Sequence, residues 1–213
     1  MGSKSTSKEF PGFDKIFSLG ESGSRKAFRG DLDVETSGEA FALTRAELHP
    51  SHPIMVSWAM GSAKPGDVIW TTYAVPVIVS ESVVQLLRSH GFTGWSLYDV
   101  SVRDKQGQPI PGYSGLAVTG RCGKIDYTRT VVVPRVYPAG IFPIGKGLLF
   151  DPESWDGSDL FAPIGKGGFI FMVDEVKKTL EKAKIRNVLF TPLDQYEVAM
   201  ITLKSAGVVP PPR

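Results

Sequence analysis

A pattern that occurs twice constrains this chain more than any other feature. Val77-Ile78-Val79 leads through Ser80 into a helix-like segment from Glu81 to His90, then Gly91-Phe92-Thr93-Gly94 and a strand-like Trp95 to Tyr98. Ile170-Phe171-Met172 leads through Val173 into Asp174 to Ala183, then Lys184-Ile185-Arg186-Asn187 and Val188 to Phe190. At a constant offset of 93, Val83 falls on Val176, Leu87 on Leu180, Phe92 on Ile185 and Leu97 on Phe190. The approach to each unit matches as well, allowing one inserted residue: Gly66-Asp67 precedes Val68-Ile69-Trp70, and Ser158-Asp159 precedes Leu160-Phe161. Val83 with Leu87, and Val176 with Leu180, set one apolar stripe per helix. A strand-helix-strand unit buries only that stripe, so two such units are expected to share a sheet. The repeated pattern carries no catalytic group.

The rest of the 213 residues reads as one α+β domain over 10–203. Its expected architecture is a twisted mixed sheet around two repeated strand-helix-strand units, 67–102 and 159–193, with additional N-terminal strands. Lys15 to Leu19, Ala40 to Leu43 and Ile54 to Trp58 are short apolar runs of strand length, and Tyr196 to Leu203 reads as a last strand. The helix of the first unit is expected to bury Val83, Leu86, Leu87 and His90. Residues 134–168 hold five prolines and seven glycines and resist any regular element. A loop of that length in a compact domain is usually functional or poorly ordered. Residues 1–9 read as a disordered tail and residues 204–213 as a Pro-rich one.

Hydrophobic residues at 42%, charged residues at 22% and a net charge of +2 describe an ordinary globule. Lys and Arg are scattered, which argues against nucleic acid as a partner. No apolar run approaches the about 20 residues needed to cross a bilayer, and residues 1–9 lack the apolar stretch of a signal peptide. Gly2 and Thr6 fit a myristoylation pattern, but one so short that chance matches are common. A cytoplasmic location without membrane attachment is the expectation. The single Cys122 excludes an internal disulfide and a multi-cysteine zinc site.

Three motifs invite chemistry. Pro-Ile-Gly-Lys-Gly stands at 143–147 and again at 163–167, but a phosphate loop needs its lysine before Ser or Thr at a helix start, and here glycine and strands follow. Two glycine turns are the plainer reading. Cys122 would need a neighbouring histidine to form a thiolate, and His49, His52 and His90 lie in a Pro-rich loop or on a helix. Trp155-Asp156-Gly157-Ser158-Asp159-Leu160-Phe161 lacks the spacing of a calcium loop and reads as an Asp-Gly turn feeding a strand, or as a partner contact. No catalytic residue, metal or cofactor is expected.

Gly112-Tyr113 with Leu116 to Gly123, the stretch Ser154 to Phe161 and the strand-helix-strand pattern over 169–193 resemble segments of immunity proteins from bacterial polymorphic toxin systems. The resemblance spans roughly residues 66–198. It implies a protein that neutralises a cognate toxin. Related sequences carry paired Cys-x-x-Cys-Gly motifs suited to zinc. This chain keeps only Cys122-Gly123, so no metal follows from the resemblance. The functional expectation is a non-enzymatic inhibitor whose toxin contacts include Tyr137, Glu153, Trp155, Asp156 and Asp159. Aromatic anchors concentrate binding energy, and acids would suit a basic active site. The alternative is a small enzyme or ligand-binding domain using the 134–168 loop and Cys122.

Overall fold

The computed structural model describes residues 9–24, 26–165 and 167–208. Among them are sixteen strands and four α-helices in an α+β arrangement of mixed sheets. Apart from Glu9, the expected N-terminal tail lies outside the described residues, as do residues 209–213 of the C-terminal one.

The N-terminal part supplies β1 (Ile16–Gly20), β2 (Arg29–Leu32), α1 (Ser37–Thr44) and β3 (Ile54–Met60). The first repeat unit follows as β4 (Val68–Thr71), β5 (Val77–Ser80), α2 (Glu81–Ser89) and β6 (Trp95–Tyr98). Next come β7 (Val100–Arg103), β8 (Pro109–Ile110), β9 (Tyr113–Val118) and β10 (Gly120–Cys122), then β11 (Val131–Tyr137) and β12 (Gly140–Lys146). The second unit is β13 (Leu160–Pro163), β14 (Phe171–Val173), α3 (Asp174–Lys182) and β15 (Leu189–Pro192), followed by β16 (Glu197–Val198) and α4 (Met200–Ser205).

Both units are built to one plan. In the first the strand order is β4-β5-β9-β6, and in the second β13-β14-β1-β15, with every neighbouring pair antiparallel. Each unit therefore takes a strand from elsewhere in the chain into its middle: β9 from just downstream, β1 from the N-terminal part. The strand after each of these then crosses to the other unit. β2 lies parallel to β4, and β10 lies parallel to β13. Matching backbone bonds follow the repeat, with one residue inserted ahead of β14: Ser80 N–H donates to Asp67 O at 2.9 Å and Val173 N–H to Asp159 O at 3.0 Å. Phe92 to Leu87 and Ile185 to Leu180 repeat the same bond at 3.1 Å in the two helix ends.

α2 buries Val83, Val84 and Leu87, and α3 buries Val176 and Leu180, all in one core beneath both sheets. Each such side chain contributes about 1.5–3 kcal/mol. The helices also touch each other. His90 does not join the stripe. It is exposed at the C-cap of α2, donating from Nδ1 to Leu86 O at 2.9 Å. A second core lies on the opposite face of β4 and β5, where Ile69 and Ile78 meet Phe28, Leu32, Leu43 and Val56. The eight-stranded sheet, β6-β9-β5-β4-β2-β3-β7-β8, is strongly curled: β6 and β7 are separated only by Asp99 in sequence yet lie near its opposite edges.

Three expectations need correction. Ala40 to Leu43 is helical, part of α1, because Thr36 caps the helix by accepting from Glu39 N–H. Tyr196 to Leu203 is a two-residue strand, β16, followed by α4, which runs past the expected boundary at 203 to Ser205. Residues 134–168 are not a loop but hold most of the β11–β12 hairpin, a short 3-10 turn at Pro152–Ser154, and β13.

Candidate functional site

The β11–β12 hairpin is the most exposed regular element. Val131-Val132-Val133 starts a strand by β propensity, Pro138-Ala139 makes the two-residue turn, and the register runs from Val131↔Lys146 to Tyr137↔Gly140. Pro134 lies directly opposite Pro143. A proline fits a ladder only where its missing N–H would point outward, so this pair removes one outward donor from each edge of the arm. The edges are thereby guarded against adding a further strand. β16 pairs only with Gly145 and Lys146, at the base.

Side chains of the arm alternate between two faces. One face presents Arg135, Tyr137 and Phe142. Arg135 is ion-paired with Glu197 and lies 5.5 Å from the Tyr137 ring, and Tyr137 meets Phe142 edge-on at 6.0 Å. The other face carries Pro134, Val136, Ile141 and Pro143 and no charge. Val136 is 78% exposed and Ile141 68% exposed. At its base this face is closed where Gly145 packs on Leu203 of α4.

The remaining expected contact residues are not gathered around Tyr137. Trp155 turns inward, against Phe10 at 5.9 Å and Phe161 at 5.7 Å, with its indole N–H on Ser158 O. Asp156 has both oxygens engaged, accepting from Arg121 N–H of β10 at 2.7 Å and from Ser158 N–H in its own turn at 3.0 Å. Asp159 is buried and accepts from both Thr93 N–H and Thr93 Oγ1 at 2.8 Å. Asp151 caps the 3-10 turn through Glu153 N–H. Of the group, only Tyr137 and Glu153 present an exposed side chain that local turn-building does not already occupy.

Cys122 is wholly buried, and that burial pushes its thiol up to about 12, with Asp156 adding to the rise and Arg121 opposing it. His49, His52 and His90 are all exposed, so none shares its environment. A thiol so raised stays protonated and is a poor nucleophile. The first Pro-Ile-Gly-Lys-Gly runs through β12, and the second begins at the end of β13. Among the described residues, no group of three or more His, Cys, Asp or Glu is placed to hold a metal ion, and no helix is long and apolar enough to cross a membrane.

The arm escaped sequence reasoning because Pro134 reads as a strand terminator. The alternating apolar residues on both sides of Pro138-Ala139 were the available signal. No protein-family model matches the chain, and no curated protein matches it.

Proposed function

We propose that this chain is a non-enzymatic binding protein, an immunity protein that neutralises a cognate bacterial toxin by stoichiometric occlusion in the cytoplasm. The observation that carries the reading is the β11–β12 arm. Soluble proteins rarely leave contiguous apolar patches bare unless something covers them. Here Pro134, Val136, Ile141 and Pro143 form such a patch on one face, with Tyr137 and Phe142 on the other. The exposed outer part, about four residues per strand, reaches roughly 14 Å. A two-stranded finger of that length suits insertion into a protein cleft. Its proline-guarded edges favour recognition through side chains over strand addition. Occlusion of this kind needs no cofactor, nucleic acid or membrane. The alternative, a small enzyme or ligand-binding domain, drew on residues 134–168 as a loop and on Cys122, whereas this reading draws on the exposed hairpin those residues mostly form.

The test is co-expression with the product of the neighbouring toxin gene. A one-to-one complex is expected, and Val136→Asp with Ile141→Asp should abolish it while leaving the melting temperature unchanged. Glu153→Lys should weaken it only if the acidic rim also takes part. No complex with wild type, or a complex indifferent to the arm variants, would refute the reading.

A further inference from the structure

The two repeat units meet at two corresponding junctions, where the turn after one helix abuts the segment entering the other unit's first strand. Each junction holds a cleft, of about 530 Å³ at the first and about 490 Å³ at the second. Their chemistry is opposite. The first is lined by Glu9, Asp159, Glu175 and His90. The second is lined by Lys26, Lys64 and Arg186, and among the described residues no carboxylate lines it. Since the backbone plan is shared, the fold alone does not dictate the difference in charge.

The three cations of the second cleft come from three separate segments: the β1–β2 connection, the β3–β4 connection and the α3–β15 turn. Among the described residues neither Lys26 nor Lys64 has an ion-pair partner. Asp67 stands behind Arg186, accepting from its backbone N–H at 3.3 Å with the guanidinium Nε at 3.8 Å, which anchors the turn and leaves the guanidinium largely exposed. Ser62 Oγ accepts from Lys64 N–H at 3.2 Å, so its own proton remains available to a ligand, and Ser24 lines the same space. Asn187 is engaged on both sides, taking Ser22 Oγ and donating to Val68 O, and holds the wall in place.

We propose that this cleft binds a phosphate-bearing small molecule, with Lys26, Lys64 and Arg186 contacting the phosphate oxygens and Ser24 and Ser62 donating to them. Several cations facing one space with hydroxyl donors between them match a multiply charged, oxygen-rich group, and Arg adds bidentate geometry. A volume of about 490 Å³ falls within the range of small-molecule sites, about 300–1,000 Å³. Ala27 and Pro65 offer an apolar wall for the remainder of the ligand. The proposal is independent of the toxin-binding arm, which lies on a different sheet.

The experiment is calorimetric titration of the full chain with inorganic pyrophosphate and, separately, ATP. Saturable one-to-one binding of pyrophosphate is expected, weakening as salt rises. Lys26→Ala with Lys64→Ala should reduce affinity about 10-fold or more. The charge-matched control, Lys124→Ala with Lys182→Ala, should leave it unchanged, and both variants should keep the wild-type melting temperature. Tighter binding of ATP than of pyrophosphate would add contacts along the Ala27–Pro65 wall. Equal loss in the two double variants, or no pyrophosphate binding at low salt, would overturn the proposal. Sedimentation with phosphatidic-acid vesicles that disappears in the Lys26/Lys64 variant would also overturn it, by moving the phosphate to a lipid headgroup.

Discussion

Thr93 and Arg186 stand at the same place in the two repeat units, each in the turn that follows a helix, and each is held by the aspartate that opens the other unit. Asp159 is 6% exposed and takes two bonds of 2.8 Å from Thr93. Asp67, partly exposed, meets Arg186 at 3.3 Å and 3.8 Å. One residue further on, Gly94 at φ 83° and Asn187 at φ 66° both occupy the left-handed region. Gly94 lets Leu160 O come so close that a Cβ would lie 1.9 Å from it, whereas the Asn187 side chain spans the corresponding gap to Val68 O at 3.1 Å. The backbone plan is common to both junctions. One is fastened by buried bonds, and the other by a partly solvated ion pair beside a cluster of cations.

The largest effect is expected from placing the second unit's solution in the first. Asn tolerates positive φ, yet Gly94→Asn should cost about 3 kcal/mol or more because of the Leu160 carbonyl. Urea unfolding measures this, and near-wild-type stability would mean that the two turns are interchangeable. Next in size, Asp159→Ala should cost about 2–3 kcal/mol by leaving Thr93 N–H without its acceptor. Asp67→Ala should cost at most about 1 kcal/mol, as a partly solvated ion pair does. Equal losses in the two variants would remove the distinction between a buried and a solvated fastening.

The last effect shows only at alkaline pH and concerns the crossing strands β10 and β2, of which only β10 carries a thiol. Burial raises Cys122 from 9.0 to about 12, so the unfolded chain loses its proton first. The thiol's contribution is therefore complete below about pH 9 and is lost as pH climbs toward 12. Unfolding free energies of wild type and Cys122→Ala should converge over that window. Parallel curves would place Cys122 in a wetter setting than the β10–β13 pairing implies.

The repeat was legible because the apolar spacing of Val83/Leu87 and Val176/Leu180 is local and survives divergence of everything around it. α1 was also legible in principle: Thr36 and Glu39 stand three apart, and the reading of Ala40 to Leu43 as a strand overlooked that cap. The place of β1 between β14 and β15 was not, because its partners lie more than 150 residues away and alternation of apolar residues does not name a partner. The basic cleft was hidden for the same reason, since Lys26, Lys64 and Arg186 share no local motif. For Asp156 and Asp159 the sequence left turn-building and partner contact open, and it gave no sign that their carboxylates bond to Arg121 of β10 and to Thr93 after α2.

The seat of β1 has a consequence for how the protein is made. As the ribosome releases the chain, Ile16–Gly20 emerges well before its partners β14 and β15, which follow about 150–175 residues later. At roughly 5–20 residues per second the nascent segment waits on the order of 10–30 s. During that wait the first unit can close around β9, which lies only about 15 residues beyond β6. The apolar Ile16-Phe17 pair meanwhile remains a client for chaperones until the second unit is translated. Half of the molecule can therefore mature on the ribosome, and the other half is sealed only by a strand made long before it.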